Sequence, residues 1–98
     1  MTVELHDATR DYANARLAEM TIEDERPIAK HEAMLRLMQG TNVLNGKPHS
    51  ASSAEAAVEL DEEYRTYLVR RRMAVVATIY ARSALDAARA RFATEIAA

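Results

Sequence analysis

Tyr64, Tyr67, Arg70, Arg71 and Arg72 fall within one short stretch, YRTYLVRRR. It joins the two side-chain types that hold single-stranded nucleic acid: guanidinium groups for phosphates and phenol rings for bases. On a helix, however, three consecutive arginines splay through about 200° and do not all grip one backbone. Tyr64 and Tyr67 also lie on an apolar row, which predicts a core position with their hydroxyls reaching the rim. The competing account pairs these arginines with carboxylates of the chain's first half or of a second subunit, giving register and partner choice more than stability.

A second candidate is GTNVLNGKPHSASSAE, Gly40 to Glu55, which holds both glycines and the Gly46-Lys47 pair. A phosphate-binding P-loop reads G, four residues, G, K, then Ser or Thr, and follows a strand. Here five residues separate Gly40 from Gly46, Pro48 follows Lys47 and offers no N–H, and the preceding segment is helical in pattern. Lys47, His49, Ser50 and Ser53 stand before a helix start that would attract an anion, but Glu55, Glu59, Asp61, Glu62 and Glu63 already occupy that favourable field. The stretch therefore reads first as a helical corner. Asn42 and Asn45-Gly46 would supply turn conformations, Pro48 would stiffen the return, and Val43 and Leu44 would tuck in. Its length exceeds what a corner needs, and loops on rigid scaffolds carry function, so Lys47 and His49 stay candidate interaction residues.

Catalytic and metal chemistry find little else. The Glu-x-x-His spacing of bundle di-metal sites is absent, because Val3, Ile28 and Gly46 stand three residues before His6, His31 and His49. The serines have no nucleophile elbow around them, and the many carboxylates fall on solvent faces. No catalytic, cofactor or metal residue is assigned, and neither an enzyme nor a small-molecule substrate is expected.

These residues must be positioned by helices. The 98 residues suffice for one domain, 1–98, and the apolar 49% is largely alanine with one Phe, four Tyr and no Trp, so each buried position contributes little area. The absence of cysteine excludes disulfides and thiolate zinc sites and suits a reducing cytoplasm. No apolar run is long enough for a membrane span, and the polar N-terminus is unlike a signal peptide. Net charge is −2, yet residues 1–63 hold 13 acidic against 6 basic side chains, and residues 64–98 hold 7 arginines against Asp86 and Glu95. That asymmetry suits either a nucleic acid or the chain's own acidic half.

The first arm, Val3 to Gln39, places Leu5, Ala8, Tyr12, Ala15, Met20 and Ile22 near the helical period. Thr2 is its expected cap. Pro27 deletes a backbone hydrogen bond there, so the arm kinks or breaks, with Thr21 as a possible new cap and Gly40 ending the second segment. Ser52 and Glu55 form a capping box. From Ala54 to Ala97 no Gly or Pro intervenes, which predicts one helix of roughly 44 residues, about 65 Å long. Its apolar row runs Leu60, Tyr64, Tyr67, Leu68, Val75, Ile79, Leu85, Ala88, Phe92 and Ile96, interrupted by Arg71, Arg82 and Arg89. So long a helix is not stable unpaired in water.

The phrase NGKPHSASSAE, Asn45 to Glu55, between two helical arms and before a long Arg- and Ala-rich helix, resembles a group of small uncharacterised helical proteins of tailed phages and prophages. The resemblance implies an accessory protein acting on host or phage macromolecules, and it transfers no catalytic residue. The expected fold is all-α: a long helical hairpin with its first arm kinked or broken near Pro27, a loop at about 40–52 and a long second helix at about 53–97. It is expected to pair with itself as a coiled-coil or four-helix homodimer and to bind another protein, with single-strand nucleic acid as the alternative partner.

Overall fold

The computed structural model describes residues 2–40 and 46–97, and every regular element among them is helical. They run α1 (Val3–Asp24), α2 (Arg26–Gln39), α3 (Ala51–Ala57), a 3-10 turn (Val58–Leu60) and α4 (Glu62–Ala97). The chain is a helical hairpin of two arms. It divides into two compact units: residues 1–22 with 71–98, and residues 23–70. The expected turn residues Asn42, Val43, Leu44 and Asn45 lie outside the described residues.

In the first unit α1 and α4 run antiparallel. Thr2 caps α1 as expected, its hydroxyl accepting from the Leu5 amide at 3.1 Å. Leu5, Ala8, Leu85 and Ala88 form the buried cluster, with Tyr12 and Phe92 packed against it. Three polar links follow the same antiparallel order. Glu4 pairs with Arg91, the Arg82 guanidinium lies 5.6 Å from the Tyr12 ring centroid, and the Thr78 hydroxyl donates to the Ala15 carbonyl at 3.2 Å.

The second unit begins at Glu23 and holds the proline. Pro27 sits in the first turn of α2, where its missing N–H costs no helical bond. The break is one residue wide: Glu25 keeps helical angles, and the Ala29 amide donates to its carbonyl at 2.9 Å. Thr21 is not a cap, because its hydroxyl donates back to the Leu17 carbonyl. Gly40 ends α2, with its amide donating to the Arg36 carbonyl, but its backbone is extended. The left-handed conformation belongs to Gly46, at φ 69°, where a side chain would be strained.

Two expectations for the second arm need correction. Its start is capped by Ser50 rather than Ser52, with the Ser50 hydroxyl accepting from the Ser53 amide at 3.2 Å. Glu55 does not reach back to the cap; it meets Lys30 of α2 at 3.3 Å. Nor is 54–97 one helix. The run tightens into the 3-10 turn and leaves helical geometry at Asp61, whose ψ is 124°. Asp61 then starts α4: its Oδ2 accepts the Tyr64 amide at 2.9 Å, and Glu62 and Glu63 fill the first turn at the positive end of the dipole.

Asp61 also ties α4 to α2. Arg36 donates to both its oxygens, Nε to Oδ1 at 3.0 Å and Nη2 to Oδ2 at 2.7 Å, the two-pronged geometry that suits guanidinium and carboxylate. The Arg36 hydrogen bond holds the Asp61 carboxyl below its ordinary 3.8, against the upward pull of burial and with help from the Tyr64 amide. Ala33 and Ala54 have no exposed surface where α2 packs on α3, a closeness that larger side chains would prevent.

Asp61→Ala is expected to lower stability by about 0.5–2 kcal/mol through the cap alone, read as a lower urea midpoint by circular dichroism at 222 nm. Asp61→Asn keeps a capping oxygen and should lose less. Because the folded-state pKa is depressed, the contribution is complete above the unfolded value and is lost as pH falls through the folded one. The wild type should therefore converge on Asp61→Asn in stability below the ordinary 3.8.

Candidate functional site

The side chains that converge most closely lie in the second unit, where α2 faces the first turns of α4. Tyr64 and Tyr67 are three residues apart on α4 and share one face. Their ring centroids are 6.0 Å apart with planes tilted by 33°, an ordinary spacing for an aromatic pair. They are 4% and 5% exposed, so they are core side chains before they are anything else. Above them opens a groove of about 310 Å³, lined from α2 by Ile28, Ala29, Glu32 and Arg36, from α4 by Glu63 and Arg70, and by Glu25 at the break.

The charges around the groove are largely matched. Arg36 reaches Glu63 at 3.0 Å in addition to Asp61, and these bonds raise its pKa above the ordinary arginine value, chiefly through Asp61. Arg70 lies 3.7 Å from Glu25. Such partly exposed pairs orient side chains more than they stabilise. The lining holds no serine, cysteine or histidine to act as nucleophile or base. What the groove offers is an aromatic floor with one exposed isoleucine and a rim of paired charge.

Of the residues that the sequence singles out, Tyr64, Tyr67 and Arg70 come together here. Arg71 and Arg72 belong to the first unit; Arg71 is half-buried and engaged, and Arg72 is exposed. Lys47 and His49 do not line the groove. Lys47 is exposed and has a partner, and His49 turns its Nδ1 to the Ser53 hydroxyl at 3.1 Å, bracing the start of α3. Among the described residues no three His, Asp or Glu side chains gather as metal ligands would. Arg36 and Asp61 were missed as a pair. Asp61 carried a signal, an aspartate followed by two glutamates, which is how a helix start reads.

A different feature lies on α4 in the first unit. Leu85 and Ala88 are covered by α1, but Met73, Val76, Ile79 and Tyr80 are exposed by 67%, 46%, 58% and 72%. Leu60, Ile79 and Ile96, which the sequence puts on the apolar row of the second helix, are exposed, and Leu60 stands in the 3-10 turn before α4. Ile96 lies far toward the end of α4, past Arg91, which already pairs with Glu4 in the first turn of α1.

No family model matches this chain, and no curated protein and no solved structure matches it.

Burial assigns these positions opposite sensitivities. Tyr64→Ala or Tyr67→Ala should each cost about 3–5 kcal/mol, as for other buried aromatics. Arg72→Glu should stay within about 0.5 kcal/mol of wild type. Urea denaturation of the three variants checks this; an arginine effect as large as the tyrosine effects would reverse the assignment.

Proposed function

We propose that this chain is a non-enzymatic helical accessory protein that works by protein–protein interaction, in the manner of the phage and prophage proteins it resembles, and that it does so as a homodimer. The observation that carries this reading is the mismatch between a thin core and a greasy surface. Among the described residues the buried core is four alanines, two leucines, a valine and two tyrosines, and no large side chain is fully buried. Meanwhile Val3, Leu17, Ile28, Leu60, Met73, Tyr80 and Ile96 are each more than three-fifths exposed.

The nucleic-acid reading keeps the basic second half as its motive. What weighs against it is that several of those arginines already have carboxylate partners within the chain: Arg70 with Glu25, Arg82 and Arg89 with Asp86, and Arg91 with Glu4. A phosphate backbone would have to displace them.

Sedimentation at micromolar concentration is expected to give a species heavier than one 10.9 kDa chain; a strictly monomeric, fully helical species would overturn the dimer. Labelled single-stranded oligonucleotides are expected to show no binding that depends steeply on salt. If such binding appears and Arg70→Glu with Arg72→Glu abolishes it, the nucleic-acid reading takes precedence.

A further inference from the structure

We infer that the groove between α2 and the first turns of α4 seats a basic side chain, arginine or lysine, presented by a protein partner. This rests on the protein-interaction reading above and assigns it a site and a partner chemistry. The groove lies wholly within the second unit, which carries nine acidic against six basic side chains. Its lining repeats that bias. Arg36 is already held by Asp61 and Glu63, and Arg70 stands beside Glu25, so neither guanidinium is left to draw an anion. Glu32 is exposed and close enough to act on Arg36 through space, but among the described residues it enters no ion pair or hydrogen bond. The charge left over in the groove is negative, and its complement is a cation.

A second, independent observation points to an occupant. Tyr64 lines the groove and is 4% exposed. Its amide is taken by Asp61, but its hydroxyl has no hydrogen bond among the described residues. No side-chain oxygen or nitrogen among them is both fully buried and without a partner, so this hydroxyl sits in the small part of Tyr64 that stays open, on the groove that the residue lines. A hydroxyl so nearly buried gains from a partner, and the head of an arginine or lysine brings several donors. Ile28 and Glu32 complete the match. They stand four residues apart on one face of α2, with Ile28 62% exposed, and an apolar seat followed by a carboxylate suits a hydrocarbon stem with a charged end. A purely apolar side chain would instead take Glu32 out of water without a partner. The volume, about 310 Å³, is at the small end of ligand-holding pockets, room for one long side chain and the backbone that carries it.

The test is titration of the isotope-labelled protein, followed through its backbone amide resonances, with short glycine-serine peptides identical but for a central arginine, leucine or glutamate. The arginine peptide should shift the amides of Glu32, Glu63 and Tyr64 saturably, with the other two at least about tenfold weaker, as the loss of one charged hydrogen bond implies. Glu32→Gln should weaken the arginine peptide by about tenfold and Tyr64→Phe by less. Glu59→Gln removes a carboxylate from the 3-10 turn of the same unit, outside the groove, and should leave binding unchanged. An equal response to the leucine peptide, or full binding by Glu32→Gln, would overturn the assignment. Shifts at the same amides on concentrating the protein alone would make the occupant an arginine of a second copy and overturn the separate partner. A wild type that sediments as a heavier species yet ignores the arginine peptide loses this site and keeps the interaction reading; a monomer that ignores it overturns both.

Discussion

Apolar side chains on two sides of one helix set the terms of this structure, and the helix that carries them is α4. It runs for thirty-six residues, and in a folded chain a helix is held chiefly by packing its apolar face rather than by propensity. One side is met within the chain, by the first helix in one unit and by the second helix in the other. Alanine supplies four of the nine buried side chains among the described residues, which lets backbones approach but removes little surface from water. The smaller the side chains at these seams, the closer the helices sit and the less each contact contributes.

The second unit answers the same shortage with polar geometry. Asp61 terminates the 3-10 turn, caps α4 and receives the fork of Arg36, so one carboxylate joins three segments whose apolar contacts alone are modest. The aromatic pair beside it supplies most of the bulk. Placing the break at Asp61, rather than letting the helix run on from Ala51, lets the two requirements be met by different pieces: α3 brings a bare alanine against α2, and α4 brings the tyrosines.

Much of this architecture was legible in residue patterns. Thr2, the three- and four-residue spacing of Leu5, Ala8 and Tyr12, and the run from Leu85 to Phe92 each rest on local periodicity, and each stands where that periodicity puts it. The position of Tyr64 and Tyr67 in a core was legible for the same reason. The second arm was harder because its interruption uses neither glycine nor proline. Aspartate can sit inside a helix or begin one, and here its own carboxylate caps α4 while the guanidinium of Arg36, distant in sequence, holds that carboxylate in place. Ser50, Ser52 and Ser53 are chemically alike as caps, and the choice among them follows from which frame turns Ala54 and Val58 inward. The uncovered row on α4 was partly hidden because its apolar residues merge with those of the covered row, and no charge separates them.

Thr78 has a consequence out of proportion to one hydroxyl. The seam between α1 and α4 is keyed at one end by Leu5 and Leu85 with Tyr12 and Phe92 beside them, and Thr78 fixes the same alignment farther along. A single oxygen shared between the carbonyls of Ala74, on its own helix, and Ala15, on the opposite one, is present in one alignment and lost in its neighbours. It acts as a detent on a rail already notched by the leucine cluster and by the pairing of Glu4 with Arg91.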